Sequence, residues 1–353
     1  YDDRSPVKEN SVSDRPPARR RRSPQGSISL ADVAELAQVS EATVSRVLNR
    51  KPGVSAATRE VVSSALAQLG YEREVAGELV LLLTPSLKNP IFAQQAEDIE
   101  NALSPHGLKS VICPVYPGTP QEREYVSSLM DSGVAAIVFV SSSNTLSEAD
   151  HRVVALIEDR GIPYVCVNGA FPDSDAPVVS TDDGAAADLA VTHLHHLGHR
   201  RIGMIAGPAG NIPADRRVEG FLASTERLGL PGASEFVVRH HFNVEGGQHA
   251  AAALLREGVT AIVASSDEMA LGAYRAAARA GLSIPDDVSI VGYDDSPMLD
   301  YTNPPLTTVR QLTARIAANV AHIVTSKIAH HEVSSEEMLV VPELKLRGST
   351  GPA

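Results

Sequence analysis

The sequence predicts a small all-α domain followed by a larger, two-lobed α/β domain. Three observations support this prediction. The chain has 353 residues, which is more than one typical domain needs. Residues 28–71 show only helical spacing of their apolar side chains. From residue 80 onward, short β-like apolar runs alternate with helical patterns, which is typical of parallel sheets covered by helices on both faces.

Residues 28–71, which we call the headpiece, predict three short helices around one small core. Ser29 precedes Asp32 by three residues, the spacing of a capping box, so a first helix begins directly after Ser29. Ser40 and Ser55 are placed to cap a second and a third helix. The apolar stripe of the three helices consists of Leu30, Val33, Ala34, Ala37, Val44, Val47, Leu48, Val62, Ala65, Leu66 and Leu69.

The first two helices and the tight turn at residues 38–40 form a helix-turn-helix pattern. In this motif the second helix enters the major groove of DNA, and its N-terminal residues face the base edges. Glu41 and Ala42 take the leading base-reading positions, and Arg46 is long enough for a bidentate contact with guanine. Spacing alone leaves open an alternative, a small helical bundle with a solvated charged face. The full set predicted to contact DNA is Ser29, Leu30, Ser40, Glu41, Ala42, Thr43, Ser45, Arg46 and Asn49.

The charge of the chain is unevenly distributed. A net charge of −12 by itself disfavours a nucleic-acid partner. Residues 15–27, however, hold five arginines and no acidic residue, which fits contact with DNA by the front end only. Residues 1–27 have almost no large apolar side chains, so we expect a disordered arm. Its arginine run either follows phosphates or keeps the arm solvated.

The larger domain is expected to contain two lobes. The N-lobe should comprise residues 80–178 and 310–335, and the C-lobe residues 179–309 and 336–350. Ligands of open α/β sheets bind beyond the carboxyl ends of the strands, and the residues at those ends are polar here. The predicted strands are 80–83, 111–115, 136–140, 164–167, 201–207, 261–265 and 288–294. The polar residues that follow them are Ser141, Ser142, Asn168, Ser266, Asp267 and Asp294.

The aspartates at these strand ends have two interpretations each. Asp294 and its neighbour Asp295 either contact a ligand or stabilise a strand-end turn, and we favour ligand contact for Asp294. Asp267 either contacts a ligand or caps the helix that follows it, and we favour capping.

Several other functions lack support in the sequence. No apolar run approaches the roughly 18 residues that cross a bilayer. No phosphate-binding glycine loop or nucleophile elbow is present, so we expect neither an enzyme nor a cofactor. Cys113 and Cys166 lie in β-like runs and should be buried and reduced. A histidine run crosses a helix end without a cysteine or carboxylate at ligand spacing, so we expect helix-end cations and no metal site: His193, His195, His196 and His199.

The stretch SLADVAELAQVSEATVSRVLNRKPGVSAATREVVSSALAQLGY closely resembles the headpiece of the lactose/galactose repressor (LacI/GalR) family. It contains the long signature D-V-A-x-x-A-x-V-S-x-x-T-V-S-R-V-L-N of that family. Further segments similar to the family follow in order along the chain: KNPIF, STDDGAAADLAVTHLHHLGHRRIGMIAGP, RRVEGF, SSDEMALGAYRAA, IPDDVSIVGYDDSP, PPLTTVRQ and ELKLRGST. The chain is therefore identified as a member.

The resemblance implies a helix-turn-helix headpiece joined to a periplasmic-binding-protein-like sensor domain. It also implies a cytoplasmic, nucleoid-associated homodimer without a membrane partner. This repressor would bind a near-palindromic operator and respond to a small effector in the cleft between its lobes. By family position the effector-contacting set is Phe92, Asn168, Arg217, Ser266 and Asp294. Carboxylate, guanidinium and amide groups around an aromatic face favour a sugar. The alternative is a solute-binding receptor of a transporter, and an enzyme on the same scaffold ranks third.

The linker at residues 72–79 departs from the family pattern. Family members follow the third helix with a hinge helix that places a leucine in the minor groove, and this sequence is shorter there. Leu79 is the only leucine nearby, and it either belongs to the linker or begins the first strand. We expect either that the hinge of this protein is naturally reduced or that this sequence lacks part of it.

Overall fold

A computed structural model describes residues 29–48, 54–69, 79–130, 132–230 and 232–353. The chain divides into two compact units, Tyr1–Glu74 and Val75–Ala353. Three of the sequence predictions lie outside the described residues: the disordered arm at 1–27, the DNA contact of Asn49, and the linker at 72–78.

The first unit contains three helices, α1 (Leu30–Ala37), α2 (Glu41–Leu48) and α3 (Ala56–Gln68). All three predicted caps are present. Ser29 and Asp32 form a capping box, in which the Asp32 amide donates to the Ser29 hydroxyl at 3.2 Å. The Thr43 amide donates to the Ser40 hydroxyl at 3.1 Å, and the Thr58 amide donates to the Ser55 hydroxyl at 3.2 Å.

The core of the headpiece is small. It consists of buried side chains from all three helices, with a few partly buried neighbours around them. Gln38 ends α1 in a left-handed conformation with φ of 53°, which turns the chain sharply toward α2. The buried residues are Val33, Ala34, Ala37, Val44, Val62 and Ala65.

The second unit contains two six-stranded sheets. In chain order the strands are β1 (Leu79–Thr84), β2 (Lys109–Pro114), β3 (Val134–Val140), β4 (Tyr164–Val167), β5 (Val178–Thr181), β6 (Ile202–Ala206), β7 (Val237–Arg239), β8 (Ala261–Ala264), β9 (Ser289–Asp294), β10 (Thr307–Arg310), β11 (Met338–Val340) and β12 (Glu343–Lys345). The first sheet has the order β11-β5-β4-β3-β1-β2 and is parallel throughout. The second has the order β12-β10-β9-β8-β6-β7, with β12 antiparallel to β10.

Helices cover both faces of each sheet, which explains why the central strands are continuous apolar runs. The helices are α4 (Pro90–Leu103), α5 (Pro120–Met130), α6 (Arg152–Asp159), α7 (Asp183–His196), α8 (Ile212–Arg227), α9 (Val244–Arg256), α10 (Asp267–Ala280) and α11 (Thr313–Ile328). In the first lobe, α4 and α11 pack on one face of the sheet, and α5 and α6 pack on the other. In the second lobe, α7 and α8 cover one face, and α9 and α10 cover the other.

The chain crosses between the lobes three times, after β5, after β10 and after β11. These crossings correct the lobe boundaries predicted from the sequence. Residues 179–181 were assigned to the C-lobe, but β5 pairs with β4 in the first sheet. Residues 338–340 were also assigned to the C-lobe, but β11 pairs with β5. Leu79, assigned to the linker, is the first residue of β1.

Within the described residues, none of the helices is both long and apolar enough to span a membrane.

Candidate functional site

The second helix of the headpiece presents a polar outer face. Val44 is buried in the core, whereas Glu41, Ala42 and Arg46 are exposed. The three residues predicted to read bases are therefore on the accessible side of α2.

The other described residues of the predicted DNA-contacting set also reach the headpiece surface. Ser40 is exposed, and its hydroxyl forms a hydrogen bond of 2.9 Å with the Thr43 hydroxyl in addition to capping α2. Thr43 and Ser45 are half-buried. Ser29 and Leu30 are exposed at the N-terminus of α1. This surface combines hydroxyl groups with one long cationic side chain, as a DNA-contacting helix requires.

A cavity of about 670 Å³ lies between the two lobes of the second unit. Both lobes contribute to its wall, which agrees with the expected position beyond the carboxyl ends of the strands. All five residues predicted to contact an effector line this cavity: Phe92, Asn168, Arg217, Ser266 and Asp294.

Phe92 lies in the first turns of α4, which begins at the N-cap Asn89 after β1. The Asn89 side chain accepts a hydrogen bond of 3.2 Å from the Ile91 amide, and Pro90 occupies the first helical position. Ile91, Phe92 and Gln95 lie on one helix face and line the cavity. This face gives the first lobe an apolar and aromatic surface with one amide.

Asn168 follows β4 and has a left-handed backbone with φ of 67°. Its amide donates to the Ser141 hydroxyl at 2.9 Å and accepts from the Thr181 backbone amide at 3.3 Å. Ser141 follows β3 and is also left-handed, with φ of 50°. Such backbone conformations are costly for residues with a side chain and cluster at functional sites. Here they turn the chain into the cavity wall at two neighbouring strand ends.

Arg217 projects from α8 and is almost completely buried. Its guanidinium donates to the Asp183 carboxylate at 2.6 Å and stacks on the Tyr293 ring at 4.4 Å. The Tyr293 hydroxyl donates to the same Asp183 oxygen at 3.0 Å. Burial raises the pKa of Asp183, and the positive charge of Arg217 opposes this shift. Burial acts most strongly on Arg217 and lowers its pKa, but the interactions with Asp183, Tyr293 and Asp294 together hold that pKa above its usual value.

Asp294 ends β9 and is buried, with a positive φ of 123°. Its carboxylate accepts a hydrogen bond of 2.7 Å from Gln311, which in turn accepts one of 2.9 Å from the Thr181 hydroxyl. Burial raises the pKa of Asp294 well above its usual value, and the nearby charge of Asp267 adds to this shift. Asp294 thus shapes a strand-end turn and also lines the cavity, and its contact with a ligand stays a prediction.

Ser266 is the N-cap of α10, and its hydroxyl accepts from the Met269 amide at 3.3 Å. The sequence prediction that Asp267 caps this helix is therefore wrong. The Asp267 carboxylate turns inward and accepts from the Ser296 amide at 2.8 Å and the Thr308 hydroxyl at 2.7 Å. An N-cap residue directly precedes the first helical residue. That first residue is Asp267, so the capping position belongs to Ser266.

Residues 146–147 of the first lobe contact residues 210–211 of the second lobe beside the cavity, at a place that we call its mouth. The Ser147 amide donates to the Gly210 carbonyl at 2.9 Å, and Leu146 forms an isolated β-bridge with Asn211. Leu146 and Asn211 also line the cavity. The mouth is thus bounded by backbone hydrogen bonds between one loop of each lobe.

Other side chains in the cavity wall were not singled out from the sequence. Gln311 directly follows β10, so recognition of that short strand would have identified it. Gln95 lies one turn after Phe92, and helical spacing alone would have placed the two together. Another is Ser265, which directly follows β8.

The histidine run lies away from this cavity. His193, His195 and His196 are in the last turn of α7, at the helix end that the sequence predicted, but burial lowers the pKa of His193 and His195, which opposes the predicted cationic form. His199 is buried and bonds to the hydroxyls of Thr260 and Ser289 at 2.9 and 3.0 Å. The part of the chain that the structure describes contains no group of three or more side chains able to hold a metal ion. Cys113 and Cys166 are buried free thiols.

Two family descriptions match the chain. Residues 29–74 match "Bacterial regulatory proteins, lacI family", and residues 191–350 match "Periplasmic binding protein-like domain". The transcriptional regulator MalR of Streptomyces coelicolor is 45% identical over 333 residues, which cover 92% of this chain and 97% of that protein. The chain belongs to the lacI family of bacterial transcriptional regulators.

Solved structures of other LacI-family regulators share the fold. The complex of the transcriptional regulator CelR with cellobiose has a TM-score of 0.71 at 28% identity, with 92% of this chain and 100% of that chain covered. The lac repressor dimer bound to operator and the anti-inducer ONPF has a TM-score of 0.66 at 28% identity, with 92% and 99% covered.

The family and the fold class predicted from the sequence are confirmed, and this LacI-family protein is a DNA-binding transcriptional regulator. The alternative, a solute-binding receptor of a transporter, does not fit a chain whose residues 29–74 match a regulatory headpiece. The contacts assigned to individual DNA-binding and effector-binding residues stay predictions.

Proposed function

We propose that this LacI-family regulator is a repressor that binds a near-palindromic operator as a homodimer. A sugar enters the cavity between the lobes and changes the affinity for that operator. The observation that carries the proposal is the cavity of about 670 Å³, whose wall combines buried polar side chains from both lobes. Its structural neighbours include the lac repressor dimer on operator and CelR with cellobiose.

The chemistry of the cavity wall supports a polyhydroxylated effector. Each sugar hydroxyl both donates and accepts, so it must be paired once it is buried. Asp294 offers a carboxylate, Arg217 a guanidinium and Asn168 an amide, while Phe92 and Phe242 offer aromatic surfaces. This mixture of hydrogen-bonding groups and aromatic faces is suited to the edges and faces of a sugar ring.

The exposed face of α2 supports the operator-binding half of the proposal. Glu41, Ala42 and Arg46 are the base readers, and Ser40, Thr43 and Ser45 contact the phosphate backbone. Ser29 and Leu30 contact DNA from the N-terminus of α1, and Asn49 from the end of the recognition segment. In a homodimer two such helices meet half-sites about one DNA turn apart.

Contacts across the cavity mouth support a conformational response. A ligand that contacts both lobes changes the free energy of closing them. It can act on DNA binding only because its affinity differs between the open and the closed state. Ser147 and Gly210 already bond across the mouth at 2.9 Å, so small rotations of one lobe alter this contact. A coupling of about 1–3 kcal/mol corresponds to a change of about 5- to 150-fold in operator affinity.

We infer further that this regulator is not an enzyme and that it acts in the cytoplasm, at the nucleoid. Its relatives are transcriptional regulators, and operator DNA is found in that compartment.

The test uses the full chain and DNA fragments selected from a random library for binding. Fluorescence anisotropy measures operator affinity with and without each member of a panel of monosaccharides and disaccharides that includes cellobiose. We expect one sugar to change the affinity about 5- to 150-fold. Asp294→Asn should abolish this response and preserve operator binding. The exposed Asp286→Asn is the matched control and should respond like the wild type. If no fragment is selected, the repressor proposal is wrong, and if no sugar acts, the sugar proposal is wrong.

A further inference from the structure

Gln95 carries an unusual pair of polar atoms in the cavity wall. The side chain lies on α4 and is 2% exposed. Among the described residues, neither its amide oxygen nor its amide nitrogen has a hydrogen-bond partner. The large majority of buried side-chain polar atoms in folded proteins are paired, so an amide unpaired at both ends needs an explanation. Its position in the cavity wall supplies one, because a bound ligand can pair with it.

The opposite lobe presents similar atoms to the same cavity. Ser265 follows β8, is 2% exposed, and has a hydroxyl without a partner in the described part of the chain. The Nε atom of Arg217 is likewise buried without a partner there, although its Nη1 bonds to Asp183. Both residues line the cavity together with Gln95. The unpaired groups thus come from both walls and include donors and acceptors.

We propose that Gln95 is a specificity-determining residue that binds two adjacent hydroxyls of the effector, one through its amide oxygen and one through its amide nitrogen. This inference rests on the proposed sugar-binding function. Ser265 and Arg217 bind further hydroxyls from the second lobe, so one sugar unit joins the two walls. Gln95 therefore selects a glycosyl unit with a particular pair of hydroxyls.

The distribution of the unpaired atoms favours a polyol over a planar base. A glutamine amide also matches the edge of an adenine, where it donates and accepts side by side. A base, however, presents its hydrogen-bonding atoms along the plane of one ring system, whereas Gln95, Ser265 and Arg217 approach from two lobes. A sugar carries hydroxyls around its whole perimeter, each of which donates and accepts.

The experiment compares Gln95→Met with Gln94→Met in the full chain. Methionine keeps the length and helix propensity of glutamine and removes both polar atoms. Gln94 is an exposed neighbour on the same helix, and its amide donates to Asp98 at 3.1 Å, away from the cavity. Isothermal titration measures the affinity for cellobiose, for every other panel sugar that binds the wild type, and for adenosine. Deoxy analogues of the binding sugar, each lacking one hydroxyl, complete the probes.

We expect Gln95→Met to bind the sugar about 10- to 100-fold more weakly than the wild type, with Gln94→Met unchanged. The unliganded thermal midpoint of Gln95→Met should equal or exceed that of the wild type, because the variant no longer buries an unpaired amide. Each of the two deoxy analogues that lack one of the hydroxyls bound by Gln95 should bind the wild type more weakly and should bind Gln95→Met as well as the parent sugar does, since the variant has already lost the contact that the analogue removes.

The possible failures are distinguishable. If the wild type binds no sugar, the proposed sugar-binding function is wrong, and the proposed role of Gln95 is wrong too. If the wild type binds a sugar and Gln95→Met binds it equally well, only the role of Gln95 is wrong. If adenosine binds and its binding depends on Gln95, then Gln95 pairs with the edge of a base and not with two sugar hydroxyls, and the proposal is wrong. Gln95→Leu serves as a second variant, and if neither variant folds, the amide is a structural group and the proposal is wrong.

Discussion

The guanidinium of Arg217 donates a hydrogen bond of 2.6 Å to the carboxylate of Asp183, and their side chains are only 9% and 2% exposed. Asp183 is the first residue of α7, directly after the chain crosses from the first lobe into the second. Arg217 lies on α8 in the cavity wall. The ion pair therefore ties the wall of the cavity to the crossing between the lobes.

We expect Asp183→Asn to lower the free energy of unfolding by about 3–5 kcal/mol, because removal of one partner leaves a buried charge unpaired. Asp188→Asn is the matched control on the same helix. Asp188 pairs with Arg227, and both side chains are about half exposed, so its loss should cost less than about 1 kcal/mol. Urea unfolding of the two variants measures the difference. Equal losses would show that burial does not set the strength of the Asp183 pair.

The Asp267 carboxyl predicts a pH dependence of stability. Burial raises its pKa to about 7, against about 3.9 for an aspartate in an unfolded chain. The folded state thus binds the proton more tightly, so this contribution to stability is complete below about pH 4 and is lost as the pH rises toward about 7. Asp294, whose pKa burial also raises, contributes in the same direction.

Asp267→Asn should therefore reduce the fall in urea midpoint between about pH 4 and pH 7, whereas the exposed Asp286→Asn should leave it unchanged. Urea unfolding at several pH values across this interval provides the measurement. A pH profile of Asp267→Asn that runs parallel to that of the wild type would rule out Asp267 as its source.

The central strands and the headpiece could be predicted from the sequence because their signals are local. Strands such as β3 and β8 are buried on both faces, so they are continuous apolar runs. The caps Ser29 and Ser40 follow from residue type and spacing alone. The five predicted effector residues come from the family resemblance and line one cavity; Asn168, Ser266 and Asp294 among them lie at strand ends, which a parallel sheet brings to one edge.

The remaining features depend on contacts between distant residues. Strands β5, β10 and β11 have only three or four residues each, too few to show a strand pattern, so only their pairing identifies them. The inward turn of Asp267 depends on Thr308, forty-one residues away along the chain. The unpaired state of the Gln95 amide is a property of its surroundings in the fold, which no pattern of neighbouring residues shows.

Arg46 carries the sharpest prediction for the headpiece. Arg46→Ala should weaken binding to the selected operator and remove the preference for one base at one operator position. The discrimination lost at that position should be about 1–3 kcal/mol. Arg59→Ala is the control, because Arg59 is exposed on α3 and belongs to none of the predicted contacts. Anisotropy titrations on operators changed one base pair at a time provide the data. A uniform loss on all DNA sequences would assign Arg46 to a phosphate instead.

Gly210 allows the contact between the lobes to be tested separately from the sugar-binding side chains. Its φ is +78°, and an added Cβ would lie 3.1 Å from the Ser147 hydroxyl of the other lobe. Gly229 has a φ of +68° with nothing within 4 Å of its added Cβ. Alanine at either position should cost about 1–2 kcal/mol of stability, because both need the left-handed backbone. Only Gly210→Ala should also displace the Ser147 hydroxyl, which donates to the Gly210 carbonyl at 3.2 Å, and weaken effector binding, as measured by titration calorimetry. Equal effector affinity in the two variants would mean that the Ser147 hydroxyl does not contribute to closure around the ligand.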